Sequence, residues 1–436
     1  MLSLTRYTSL LWDFTYDSSS QAGKVQLRVF SSEQEMFETR GQLAPSMPVD
    51  LPINSGNQNM NRSSWSTSNV GSQASSDMGM LGWQLWQAIP PEARQPLLDA
   101  NGSKPCWLKI SSNSPVIDDL PWEWLNDGPL PFALRPEIRL SRSIPIRLAI
   151  PPTTIEPPVR VLLVITNPKD ERLLNPYREM AAVTPPLVSP PYQLTTLSEP
   201  TLDALQWALK AEPHIVHYIG HAGISRNEGN LILHDSNNVS HWIPGSDLAR
   251  VLPLSVRLLC LSTCFTAPNY QILGLPRLAH IPASTRLPNV IANQYPLSEP
   301  GVQIFWNVFY TELANPQGNV NEAFHTAQLA VANNNPSVAD WGSFSLVVRD
   351  QVGDSLRVQP GGQATTDSYL EDIKAQLTSQ LANALSERFL SSGSATFSGL
   401  STGSGSALPP SVQSQIDKET AEASALTRKI DERNEL

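Results

Sequence analysis

From Val159 to Asp350 the chain alternates short β-rich apolar runs with stretches of helical periodicity, and this alternation restricts the possible folds most. VRVLLVITN, YQLTTLSE, HIVHYIGH, RLLCLSTC and NVIANQY read as strands. DERLLNPYREMAAV, LDALQWALKAE with Thr201 as N-cap, and GSDLARVLP, with Ser246 or Asp247 near its start, read as helices between them. A small hairpin around NLILHDSNNVSHWI interrupts the series. Two amphipathic helices, PGVQIFWNVFYTELAN and NVNEAFHTAQLAVANN, lead to a last strand, GSFSLVVRD. Elements of these lengths predict an α/β fold: a doubly wound, mostly parallel sheet with right-handed crossovers, flanked by helices. Strands buried on both faces of such a sheet need runs that are apolar throughout.

Two of these runs end at side chains capable of chemistry. HIVHYIGHAG reaches His221, flanked by Gly220 and Gly223; RLLCLSTCFTA reaches Cys264 after Ser262 and Thr263. Chemistry in open α/β sheets sits beyond the carboxyl ends of the strands. A His at one strand end and a Cys at another is the pairing a thiol protease needs. The imidazole lowers the thiol pKa, then protonates the leaving amine. The backbone N–H of Cys264 and those of the Ala222–Gly223 turn are candidate oxyanion donors. Gly220 and Gly223 allow close approach of backbone to substrate.

The competing readings are weaker. A lone Cys or His closing an apolar strand is more often core than catalyst. Here both occur, at two ends of one sheet. Cys260 and Cys264 are four apart, as are His217 and His221. On a strand that spacing is about 13 Å, too far for two ligands of one zinc ion, so no metal site is expected and Cys260 and His217 read as support residues. Cys106 reads as core, and His234, His241, His280 and His325 as structural or exposed. No phosphate loop or G-x-G-x-x-G follows the first strand, where ITNPKD stands, so a nucleotide-binding module is disfavoured and no cofactor is implied.

Composition removes other classes. The net charge is −10, with no long basic run, which argues against a nucleic-acid partner. Three cysteines without paired spacing give no disulfide framework and fit a reducing, cytoplasmic setting. No cleavable signal peptide and no membrane-spanning run are expected. The 38 prolines cluster in segments such as Pro151–Pro158 and Pro185–Pro191, read as stiff connections.

Three regions follow. Residues 1–150 form a strand-rich N-terminal region that packs on the core: a hairpin of LLWDFTYD and KVQLRVFSS, a polar loop over Asn54–Asp77, helices in MLGWQLWQAI and PPEARQPLLDA, and a strand CWLKISS. Residues 151–352 hold the candidate catalytic sheet. Residues 353–436 form a helical and disordered tail: an amphipathic helix over Ser368–Leu390, a Ser/Gly-rich linker over Ser391–Pro410, and a polar helix from Ser411.

Over roughly Met78–Arg349 the chain resembles the CHAT-domain family, bacterial caspase-like cysteine peptidases of the caspase–separase clan. LPWEWLNDG resembles the family's LPWE-L-D segment, HIVHYIGHAG its strand ending in G-H-G, and LLCLSTCFTA its L-S-A-C-E-T motif. FYTELANPQGNVNEAFHTAQ resembles its paired helices, and WGSFSLVV its closing strand. The resemblance implies a caspase-like sheet and endopeptidase activity on a protein substrate, with His221 and Cys264 as the catalytic dyad. It also implies a partner or processing event for activation, and a setting in defence or programmed death, with a gasdermin-like pore-forming protein as one substrate class. Ala222 stands where the family has Gly, and Phe265 where it has Glu. With Ser262, Phe265 and Gly220 lining the substrate cleft, small or apolar residues before the cut bond are expected over basic ones. The alternative function is a catalytically silent caspase-like scaffold.

Overall fold

The computed structural model describes residues 8–17, 24–32, 47–49, 51, 72–102, 105–128, 130–144, 153–171, 176–225, 228–265, 287–294, 297–315, 318–334, 339–349 and 356–358. The helices and linker expected in the tail, and His280, lie outside the described residues. Residues 1–361 form one compact unit.

The N-terminal elements are β1 (Thr8–Asp17), β2 (Lys24–Ser32), β3 (Met47–Val49), α1 (Ser72–Ala88), α2 (Pro91–Leu98), β4 (Cys106–Ser112), α3 (Pro115–Asp118) and β5 (Ile138–Ile144). Then come β6 (Thr153–Ile155), β7 (Val159–Ile165), α4 (Pro176–Leu187), β8 (Tyr192–Ser198), α5 (Leu202–Leu209), β9 (Ile215–Ser225), β10 (Glu228–His234), β11 (Ser240–Pro244), α6 (Gly245–Val251) and β12 (Leu258–Phe265). The last are β13 (Asn289–Asn293), α7 (Glu299–Leu313), α8 (Val320–Asn334), β14 (Phe344–Arg349) and β15 (Leu356–Val358). The expected α/β architecture is present: a mostly parallel mixed sheet with helices on both faces.

The main sheet runs β8-β7-β9-β12-β13-β14-β5-β4-β1-β2-β3, with the β10–β11 hairpin beside the second half of β9. The central pairs β7–β9, β9–β12 and β12–β13 are parallel, and β13–β14 is antiparallel. The N-terminal strands enter the same sheet edge to edge, because β5 pairs in parallel with β14 and β4 with β5. A separate two-stranded sheet joins β6 to β15.

Each face has its own core. One holds Ile215, Ile219, Leu258, Cys260 and Ile291 from the central strands under Val183 and Leu187 of α4 and Phe305, Trp306, Phe309 and Tyr310 of α7. The buried residues of α7 recur at spacings of three and four, the stripe of a helix lying on a sheet. Ser298 caps α7 by accepting from the Gly301 amide at 3.2 Å. The opposite face holds Leu162, Val164, Val216, Tyr218, Leu259 and Leu261 under Leu205 and Leu209 of α5 and Leu248 of α6.

Three local readings change. α1 begins at Ser72, so the loop expected over Asn54–Asp77 ends earlier. Pro185 and Pro186 lie inside the last turn of α4 rather than in a connection. β9 does not stop at His221 but runs on to Ser225, because its far half forms a hairpin with β10. Among the described residues no helix is long and apolar enough to cross a membrane.

Candidate active site

β9 and β12 pair in parallel over eight positions, and His221 and Cys264 are partners in that register. Adjacent strands lie about 4.8 Å apart, and registered positions share a face of the sheet. The same ladder pairs His217 with Cys260 four residues earlier. Two His–Cys register pairs therefore stand on one face, one deep in the core and one at the carboxyl end of β12. His221 is fully buried.

The deep pair is chemically quiet. The His217 ring shares a hydrogen bond of 2.7 Å with the Tyr310 hydroxyl, and its plane meets Trp306 edge-on at 4.5 Å. Burial pulls His217 down to about 3, so it stays neutral. Burial pushes the Cys260 thiol up to about 12, against a weaker pull from its bond with Tyr310, so it is no nucleophile at neutral pH. Both are buried in the core on the face where His221 and Cys264 are registered.

Ser262 sits between the two cysteines on this face and is buried. The Trp306 indole donates to its hydroxyl at 3.4 Å, and Glu179 of α4 hydrogen-bonds the same hydroxyl. Burial pushes Glu179 up to about 7; the Ser262 bond opposes this. Oε1 of Glu179 is buried with no hydrogen-bond partner. A carboxyl on a helix thus stands against Ser262, two positions before Cys264, although the residue after Cys264 is Phe265.

Gly220 is also buried, and the demand for glycine there is local. A Cβ would lie 2.0 Å from the Thr166 hydroxyl and 2.7 Å from that of Tyr218. Those hydroxyls bond each other at 2.9 Å. The Tyr218 hydroxyl also faces the carbonyl oxygens of His221 and Ile232, each at 2.7 Å. Ala222 and Gly223 are buried within the ladder, Ala222 between Phe265 of β12 and Leu231 of β10, and Gly223 opposite Asn230. On the other side of β12, Asn293 bonds both backbone groups of Thr263.

The LPWEWL segment lies farther along the sheet. Arg142 Nε and Nη2 donate to the two oxygens of Glu123 at 2.9 and 2.7 Å, both side chains being 2 % exposed. Gln294, Ser345 and two backbone carbonyls complete the network. Burial works against the Glu123 carboxylate, yet the charge and hydrogen bonds of Arg142, with the hydrogen bonds of Ser345 and Gln294, hold it below its ordinary value. Nothing in the sequence singled out Tyr218, Asn293 or Glu179.

A model of the CHAT domain matches residues 80–350, more than half of the chain. The chain belongs to the CHAT-domain family. The CHAT match begins in α1 and ends after β14, so it includes His221, Cys264 and the Glu123–Arg142 network. Solved structures with a similar chain course include the Arg specific cysteine proteinase gingipain R, 9 % identical, with a TM-score of 0.41, covering 61 % of this chain and 68 % of that one. The complex of Porphyromonas gingivalis RgpB pro- and mature domains is 10 % identical, with a TM-score of 0.40, covering 62 % and 71 %. The Saccharomyces cerevisiae separase–securin complex is 12 % identical, with a TM-score of 0.34, covering 60 % of this chain but only 16 % of that one. No curated protein sequence matches significantly.

Proposed function

We propose that this CHAT protein is a cysteine endopeptidase with Cys264 as nucleophile and His221 as its base. The observation that carries the reading is the register of Cys264 against His221 on adjacent parallel strands. His221 takes the thiol proton, and the thiolate sulfur attacks the carbonyl carbon of the scissile peptide. The C–S bond forms, and the oxyanion is met by backbone N–H groups, for which Cys264 and the Ala222–Gly223 segment are the candidates. As the C–N bond breaks, His221 returns the proton to the amine. Water, deprotonated by His221, then hydrolyses the thioester and frees the thiolate.

The substrate is a protein, and activation comes from a partner or a processing event. A gasdermin-like pore-forming protein cut in defence or programmed death is the substrate class the family resemblance suggests. Ser262 and Phe265 are the residues we assign to the cleft; Gly220, also expected there, is instead buried on the opposite face, where its missing side chain leaves room for the Thr166–Tyr218 pair.

Labelling with a peptide chloromethyl ketone tests the dyad. Wild type and Cys260→Ala are expected to label, whereas Cys264→Ala and His221→Ala lose labelling by several orders of magnitude. A folded wild type that does not label would point to a silent scaffold instead.

A further inference from the structure

At the level of the dyad, both flanking ladders give out. β13 stops pairing with β12 at Leu261↔Ala292. β7 stops pairing with β9 at Ile165↔Ile219. His221 and Cys264 thus face each other on strands whose outer edges have lost those neighbours. Side chains take over on each side.

On the Cys264 side, Asn293 replaces a strand. Its Oδ1 accepts from the Thr263 amide at 3.0 Å, and its Nδ2 donates to the Thr263 carbonyl at 2.9 Å. An amide that both accepts from and donates to one residue reproduces the hydrogen bonds of a backbone partner. The Thr263 hydroxyl adds a third bond to Oδ1 at 3.2 Å. Asn293 is 1 % exposed, so water does not compete for these groups. Thr263 is bonded directly to Cys264. On the other side of Asn293, Gln294 is tied to Glu123 and Arg142. The clamp is thus anchored in the buried ion pair.

On the His221 side, Tyr218 does the same work. Its hydroxyl proton is shared between the His221 and Ile232 carbonyls. Its lone pairs face the Thr166 hydroxyl and the Ile232 amide, the latter at 3.3 Å. One donor and two acceptor sites are all that a phenol offers, and each has a partner. The missing side chain at Gly220 leaves the space in which these bonds form. This hydroxyl bridges the point where β9 exchanges β7 for β10.

We infer that Asn293 and Tyr218 are positioning residues for the dyad, two side-chain clamps that hold the Cys264 and His221 backbones in register where the flanking strands have ended. The inference rests on the dyad reading above. It concerns how the imidazole is kept within reach of the thiol, so its signature is the ionisation of Cys264 and not stability alone.

The test is the pH dependence of Cys264 alkylation by iodoacetamide, followed by mass spectrometry of the Cys264 peptide in wild type, Asn293→Ala, Tyr218→Phe and His221→Ala. Each protein is assayed at a temperature where its circular dichroism is native. In both clamp variants the alkylation rate at pH 7 is expected to fall at least about tenfold, since sub-ångström misplacement of reacting groups is costly. The midpoint should move toward that of His221→Ala. Should Asn293→Ala fail to fold, Asn293→Asp carries the test. It keeps the acceptor for the Thr263 amide and loses the donor, and an intermediate shift is expected. Clamp variants with the wild-type midpoint, beside a shifted His221→Ala, overturn the clamps and leave the dyad standing. An unshifted His221→Ala overturns the dyad, and the clamps with it.

Discussion

Glu179 carries a buried carboxyl beside Ser262 whose charge changes near neutral pH. Its folded carboxyl is pushed up to about 7 from an ordinary 4.5, chiefly by burial. Between those values the folded chain holds a proton that the unfolded chain has released. Stability therefore falls as pH rises from about 4.5 to about 7, and levels off above. Glu179→Gln is expected to lack this fall, so its stability relative to wild type grows across that window. Urea denaturation at several pH values checks it, and parallel curves for the two proteins would refute it. This residue also shows where reading the sequence ends. Glu179 lies in a helical stretch between Arg178 and Met180, and only the packing of α4 on the sheet brings it to Ser262, 83 positions later in the chain. His221 and Cys264 were legible because each interrupts an otherwise apolar run. Asn293 and Tyr218 were not, because an Asn closing a strand and a Tyr within one are ordinary, and their partners are fixed only by tertiary register.

At the scale of elements, the strands and helices from Val159 onward follow the apolar periodicity closely, since central parallel strands must be apolar on both faces. What periodicity does not carry is pairing. The β6–β15 sheet joins segments some 200 residues apart by three register pairs, and no local pattern announces it. The same holds for the Glu123–Arg142 pair, which ties the turn after α3 to β5, β14 and Gln294 at the end of β13. Both charges are removed from water, and every hydrogen bond between them matters more for that. Removing one partner leaves the other charged and buried. Glu123→Gln and Arg142→Met are each expected to cost about 3–5 kcal/mol. The double variant should cost less than the two single losses added together, because no lone charge remains. Equilibrium urea unfolding of the four proteins measures the cycle. Additive losses would mean the pair does not act as a unit.

At the scale of the molecule, the N-terminal region was expected to be strand-rich and to pack on the core; its strands continue the central sheet edge to edge. Composition shows two strand-rich regions but not that their edges meet. The seam itself is short: β14 and β5 share three register pairs, Val347↔Arg142 to Arg349↔Ile144. The core beneath it is continuous, with Trp12 and Phe14 of β1 in the same cluster as Phe309 and Tyr310 of α7. Cutting the chain at residue 150 would therefore open the edge of β14, strip one side of that core and break the Arg142–Glu123 pair away from Gln294. Exposed strand edges and apolar surface of this kind promote association. A fragment of residues 151–361 is expected to aggregate or to bind a hydrophobic dye without native near-ultraviolet circular dichroism. The fragment of residues 1–361, which keeps the compact unit whole, should remain monodisperse with a native spectrum. Size-exclusion chromatography and circular dichroism of the two fragments decide it. A monodisperse, native-like 151–361 fragment would show that the seam joins two independently folding halves, and that the ion pair, both of whose partners precede residue 150, is not needed by the half that carries His221 and Cys264.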